Sequence, residues 1–391
     1  MNMKKTILYK VLPLVLVLVV VFSVVIADPL DYWRDREDVF VTYDPEPEPL
    51  TRPYPRPITS PMDTSRWDDG TECGFVEEIF EDPRPRALLT GLPIDEEYLY
   101  RRPVAVVINN LHRALPQSGI TSADIIYEVL AEGDVTRLVG IFQSCIPDKI
   151  GPVRSARDSF IDFAFNHDAL FVHHGRSPDA DARLRNTRIV NLDGMSLGQV
   201  FWRDRNYPYW HANSGQRPLE HSSYTGWSRI VPHLDSRNIR NYVNDNPAYG
   251  LSFGTVPHFP DAGIANTVVV PFSVPYTRTF VFDPETEKYL VENRDGPLVD
   301  AETREQVAVT NILIQITTKR VTGTLGQRTI GTVGTGDGFL AVSGYYRPVR
   351  WAKDSHTSPM RWYCMDGQLL TLAPGRTWIC VFQNTGTVRF E

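Results

Sequence analysis

The sequence predicts an α/β (or α+β) first domain with a mixed sheet and flanking helices, followed by a smaller, mainly-β second domain. Three observations carry this. Between Leu92 and about residue 262, short β-branched runs alternate with segments of helical spacing. From about Gly263, short β-type runs between turn residues take over. The 391-residue length exceeds one ordinary domain, and 42% hydrophobic residues supply apolar material for two cores.

The elements follow in order. Residues 1–10 are cationic and lack acids, and Val11 to Ala27 is a mostly apolar run rich in Leu and Val. Its length favours an uncleaved signal anchor over 1–27, with a cleaved signal peptide as the alternative. Lysines before the run and Asp28 and Asp31 after it place the body outside the membrane. Residues 28–93 read as a Pro-rich tether: eleven of the thirty prolines lie between Pro29 and Pro93, including the string EPEPLTRPYPRPITSP. Trp33, Trp67 and Phe75 are costly to leave solvated, so part of the tether is expected along the domain surface.

The first domain spans 94–262. VAVVI after Pro103 is a buried strand bounded by Asn109-Asn110. DIIYEVLAE (124–132), Gly133-Asp134 and TRLVGIFQ (136–143) read as a β-hairpin. Phe160, Ile161, Ala164 and Phe165 have helical spacing within Ser155–His167, with Ser155 as N-cap. Ala169 to His173 is the next strand. Ser177-Pro178 opens another helix, Ser as cap and Pro at the first position. Thr225 to Arg240 is a further helix. The second domain, 263–391, contains NTVVVPFS, TRTFVFD, EKYLVEN, VAVTNILIQITTK, GFLAV, MRWYCMDGQLLTL and TWICVF as strands.

Net charge is −7, and setting aside Lys4, Lys5 and Lys10 takes the body to −10. An acidic body argues against nucleic-acid binding, which relies on cationic side chains. The four cysteines, Cys73, Cys145, Cys364 and Cys380, show no zinc-type spacing. Cys364 and Cys380 fall on non-adjacent strands of a meander, too far apart for a simple bridge, and so sparse a pattern does not call for a disulfide. No metal site and no cofactor is expected.

The richest polar chemistry lies in Lys149–Ser177. Arg154 and Arg157 sit at a Gly-Pro turn entering a helix, where free backbone donors and the helix dipole favour anions. Arg137 in the hairpin, Ser155, and His173, Arg176 and Ser177 after the strand are candidates to join them. The alternative is that these arginines pair internally with Asp124, Glu128 and Glu132, an acidic row at spacing four. His173 and His174 point to opposite faces of a strand, so only one can face a pocket. Gly334 to Gly338 reads as a hairpin turn rather than a phosphate loop, since the Lys-Ser/Thr ending is missing. No G-x-S-x-G elbow is present.

With these strings in view, the chain resembles the YerB-like family of bacterial cell-envelope proteins, described as lipoproteins of unknown function. The resemblance covers RPVAVVINN (102–110), LPQSGITSADIIYEVLAEGDVTRLVGIFQS (115–144), IGPVRSAR (150–157), the His173 to Pro178 turn, Trp351-Ala352-Lys353 and PGRTWI (374–379). It implies an extracytoplasmic, membrane-attached protein of two domains and brings no activity. Two departures stand out. There is no cysteine before Cys73 for lipid attachment, so anchoring would fall to residues 11–27. Glu220-His221-Ser222 stands where the family's Pro-His-Asn-type turn is expected, with His221 and Tyr224 retained.

The expected function is therefore a membrane-tethered binding or scaffold protein with an Arg-lined anion or glycan site. The alternative is a transferase or hydrolase acting on a phosphorylated, polyprenyl-linked cell-wall precursor. The expected partners are the membrane and a cell-wall or anionic ligand, not nucleic acid.

Overall fold

The computed structural model describes residues 82–212, 215–244, 249–256, 262–321 and 328–391. The expected signal anchor, the tether up to residue 81 and Cys73 lie outside the described residues. Among the described residues, no helix is long and apolar enough to cross a membrane.

Strand β1 (Val104–Asn109) is buried along its whole length. The expected hairpin forms as β2 (Ile125–Leu130) and β3 (Thr136–Phe142), antiparallel from Ile125↔Ile141 to Leu130↔Thr136. Helix α1 spans Asp158–Phe165, shorter than expected and without a side-chain cap. The reason is a local competition for backbone bonds. Residues 155–157 are extended because Ala156 pairs with the chain at residues 175–177, through Ala156 N–H to Gly175 O (3.0 Å) and Ser177 N–H to Ala156 O (3.1 Å). Ser155 instead donates its hydroxyl to His174 O, at 3.1 Å.

Strand β4 (Leu170–His173) lies parallel to β1. Helix α2 (Pro178–Arg185) starts as expected, its Ala180 N–H donating to Ser177 Oγ. Asp179 and Asp181 in the first turn and Arg183 and Arg185 in the last complement the helix dipole. Strand β5 (Asn191–Asp193) is parallel to β4. Then come the short antiparallel pair β6 (Trp202–Arg203) and β7 (Ser223–Tyr224) and helix α3 (Trp227–Ser236).

The later segment is all strand: β8 (Thr267–Pro271), β9 (Thr277–Asp283), β10 (Lys288–Asn293), β11 (Asn311–Thr317), β12 (Gly334–Val342), β13 (Tyr345–Lys353), β14 (Arg361–Tyr363) and β15 (Thr377–Gln383), with some shorter pieces. Strands β8 to β10 form an antiparallel meander at the centre of a six-stranded sheet. The others join the main eleven-stranded sheet in the order β14-β13-β12-β11-β15-β2-β3-β1-β4-β5, with the short strand Gly263–Ile264 pairing β13 as the eleventh. Parallel pairing of β2 with β15, from Ile125↔Thr377 to Val129↔Val381, carries that sheet across the 262/263 boundary. The class is thus mixed and sheet-rich with few helices.

The core has two layers because strand side chains alternate. Val104, Val106 and Ile108 of β1 face Ile230 and Leu234 of α3 and Val268, Phe280 and Val291 of the smaller sheet. Ala105 and Val107 share the opposite layer with Phe160 and Ala164 of α1, Leu184 of α2, and Trp351 and Trp362. A strand apolar on both faces must be covered on both, which is why β1 and β2 lack polar alternation.

Two expectations are corrected. Gly334 to Gly338 is not a turn but the start of β12, paired with β13. A Cβ on Gly338 would sit 2.3 Å from Ile314 O, so the neighbouring strand can approach only a glycine there. And Cys364 is disulfide-bonded, whereas Cys145 and Cys380 are free. Strand spacing speaks only to pairs within one sheet, so it could not anticipate a bond outside the Cys364–Cys380 pair.

Candidate anion site at the ends of the parallel strands

Strands β1, β4 and β5 are mutually parallel, so their carboxyl ends share one edge. Open sheets with parallel strands bind ligands at such ends. Asn109, His173 and Asp193 are the last residues of these three strands. The expected arginines reach this edge but do not stay together.

Arg137 and Arg157 are neutralised. Arg137 Nη2 and Arg157 Nε and Nη2 all bond the Glu132 carboxylate, the Arg157 contacts being 2.7 and 2.6 Å. Both also donate to Ser155 O, at 2.9 and 3.3 Å. Burial, with Arg157 next to it, pushes Arg137 down to about 9. This clamp holds the 155–157 backbone.

Arg176 is likewise paired, with Asp181 at 2.5 Å and with Asp193. It lines a cleft of about 430 Å3 with Asp181, Asp193 and Arg237, beyond β5. Ser177 is committed as the α2 cap. His173 is buried, its Nδ1 2.9 Å from Gly175 O and 3.7 Å from Asp193 Oδ1. The strand's alternation holds, but the outward residue is His174, not His173.

The acidic row also separates. Asp124 Oδ2 accepts from Gln143 N–H (2.6 Å) and Ser144 N–H (2.9 Å), bracing the end of β3. Glu128 is buried against Arg278, and Glu132 is the arginine clamp. No group of acids and histidines able to hold a metal occurs among the described residues.

Arg154 differs from the others. Its Nη1 donates to Glu220 O at 3.2 Å, and its buried Nε has no hydrogen-bond partner among the described residues. Arg203 in β6, which sequence reasoning did not select, lies beside it: its Nη1 donates to Leu219 O at 2.6 Å. Two guanidinium groups thus hold consecutive carbonyls of the Leu219–His221 turn. Among the described residues, neither has a carboxylate partner.

The neighbouring histidines have defined tautomers. Arg203 Nη2 lies 3.0 Å from His174 Nε2, and arginine can only donate, so Nε2 accepts. The His174 proton therefore sits on Nδ1 and points at Ser223 Oγ, 2.8 Å away. Asn109 Oδ1 accepts from Leu111 N–H, which turns its Nδ2 toward His221 Nδ1 at 2.7 Å. His221 then carries its proton on Nε2, 3.9 Å from Glu220 Oε1.

Burial first, then Arg203, lowers the pKa of His174; burial first, then Arg154, lowers that of His221. Burial and the surrounding cations thus both disfavour the charged form of each ring. Glu220 is lowered by its own backbone N–H and then by His221, Arg154 and Arg113. The cluster sets three cations, Arg113, Arg154 and Arg203, against the Glu220 carboxylate, while Asp193, which also acts on His174, is already paired with Arg176.

Position 154 was legible because it follows a Gly-Pro turn. Gly151 has φ +148°, and a Cβ there would lie 2.8 Å from Ser223 O, so only glycine brings this turn against β7. Arg203 and Ser223 carried no motif. His221 stands out in the sequence only through the family turn.

The fold is that of a sheet-rich protein with a cluster of cationic side chains at its parallel-strand ends, and comparison with known proteins supplies the family. Residues 89–240 match the N-terminal domain, and residues 268–379 the C-terminal domain, of a protein of unknown function, DUF3048. The "Putative lipoprotein YerB" of Bacillus subtilis (strain 168) is 35% identical over 300 residues, covering 75% of this chain and 85% of that protein. The crystal structure of the YerB protein from Bacillus subtilis is similar with a TM-score of 0.69 and 31% identity, over 79% of this chain and all of that one. The chain belongs to this YerB-like DUF3048 family.

Proposed function

We propose that this is an extracytoplasmic, membrane-tethered envelope protein that binds an anionic ligand, a phosphate or an acidic glycan, at the carboxyl ends of β1, β4 and β5. The carrying observation is the pair Arg154 and Arg203, adjacent to each other and without carboxylate partners among the described residues. Phosphates suit such sites because guanidinium groups offer paired donors to their oxygens. The His221 Nε2–H adds a neutral donor. The location outside the membrane is supported by the "lipoprotein" description of the Bacillus relative and by the apolar run at 11–27.

The tautomers favour binding over group transfer. A serine is activated by a histidine nitrogen that accepts its proton. His174 Nδ1 already carries a proton, because Arg203 occupies the other nitrogen.

The test is isothermal titration of the detergent-solubilised full chain with inorganic phosphate and pyrophosphate. Arg154→Ala and Arg203→Ala are each expected to weaken binding at least ~10-fold, about 1.4 kcal/mol. Equal affinity in wild type and both variants would remove the site.

A further inference from the structure

A second cavity, of about 200 Å3, lies where the two family-matched segments meet. Asn110 and Glu128 line it from the first segment; Tyr276, Thr277, Arg278 and Asn293 line it from the second. It is separate from the anion site, since Asn109 serves that site and Asn110 this one. We infer that this cavity binds a neutral, polyhydroxylated ligand of about the size of one sugar ring.

The floor is a buried ion pair. Arg278 Nε donates to Glu128 Oε2 at 2.8 Å and its Nη2 to Oε1 at 3.1 Å, with both side chains 2% exposed. Arg278 Nη1 goes to Asn293 Oδ1 (2.5 Å) and Glu292 O (3.3 Å). Glu128 Oε1 also accepts from Thr136 Oγ1 (2.9 Å) and Asn110 Nδ2 (3.3 Å). The Arg278 guanidinium lies 4.9 Å from the Trp378 ring centre.

Such a pair is an expensive way to hold two segments together. Desolvating two charges consumes most of their attraction, and apolar side chains of like volume usually serve stability as well.

The chemistry of the walls selects the ligand. The charges cancel on the floor, the exposed Arg294 and Asp295 in the lining are one of each sign, and His112 also lines the cavity as a further donor or acceptor. The carboxylates and guanidinium groups of the lining therefore sum to no net charge. A zwitterion would need an unpaired guanidinium and an unpaired carboxylate, and the floor has spent both on each other. What remains is neutral hydrogen-bonding capacity. Glu128 Oε2 accepts one side-chain bond only, and the Tyr276 hydroxyl, Thr277 Oγ1 and Asn293 Nδ2 have no partner among the described residues. Hydroxyl groups, which both donate and accept, match this set. The Tyr276 ring offers an apolar face beside those polar groups. The volume falls below the roughly 300–1,000 Å3 of sites for larger ligands, which limits the occupant to one small ring.

The test uses the detergent-solubilised full chain, titrated separately with glucose, galactose and N-acetylglucosamine, read by saturation-transfer NMR and calorimetry. At least one is expected to bind saturably. Tyr276→Phe and Asn293→Ala are each expected to weaken it at least ~5-fold, near-UV circular dichroism confirming that both variants fold. Arg154→Ala and Arg203→Ala should leave sugar binding unchanged and affect phosphate alone, so the two sites fail or stand separately. No saturable binding of any of the three sugars to folded wild type, or full retention of sugar binding in both cavity variants, would overturn the inference.

Discussion

Replacing Arg278 by Met tests what the buried pair is for. The substitution removes both guanidinium bonds to Glu128 and leaves its carboxylate, 2% exposed in the wild type, with Thr136 and Asn110 as its side-chain partners among the described residues. Each lost charge-assisted bond is worth roughly 1.5–3 kcal/mol, and a buried ion left without its partner costs about 3–5 kcal/mol in all. The double variant Glu128→Leu with Arg278→Met removes the stranded charge as well. Its cavity floor is then apolar, Asn110 and Thr136 still bond one another (2.7 Å), and stability should return to within ~2 kcal/mol of wild type. Urea unfolding at neutral pH followed by tryptophan fluorescence measures all three proteins, and the double-mutant cycle isolates the pair. A single variant within ~1 kcal/mol of wild type, or a double variant as unstable as the single, would refute the reasoning.

Two further predictions concern stability. His167 is buried beside the Tyr127 hydroxyl (2.9 Å), and burial, with the Lys353 charge second, lowers its pKa from 6.5 to about 3. Below pH 6.5 the unfolded chain takes up a proton that the folded chain refuses, so stability is full above 6.5 and is lost as pH falls toward 3. At ~1.4 kcal/mol per pH unit the loss reaches about 5 kcal/mol, and His167→Gln should flatten the acid limb by that amount. Parallel limbs for the two proteins would exclude His167 as the source. Ser177→Ala should cost about 1 kcal/mol through the lost α2 cap, measured by thermal unfolding. It should leave phosphate binding intact, because the hydroxyl already serves Ala180; weakened phosphate binding would return Ser177 to the site.

The sequence by itself determined the local elements and the turn that presents Arg154, the one expected arginine that keeps clear of a carboxylate partner among the described residues. Apolar β-branched runs specify strands β1 to β4, Ser177-Pro178 specifies the start of α2, and Gly151 specifies the turn that presents Arg154. These are near-neighbour effects of sterics, capping and hydrophobic alternation, and they need no tertiary information. Charge pairing is not of that kind. Arg137, Arg154, Arg157 and Arg176 look alike along the chain, and whether each is free depends on a carboxylate brought from elsewhere: Glu132 reaches two, Asp181 and Asp193 take the third, and none in the described residues reaches Arg154. Arg203 and His174 meet across 29 positions, and Glu128 meets Arg278 across 150. The pairing of β2 with β15 also decided that the two sequence segments share one sheet, and so that a polar cavity opens between them. Hydrophobic pattern shows that both strands are buried but not which strand lies beside which, because every apolar face fits many others until the whole chain packs.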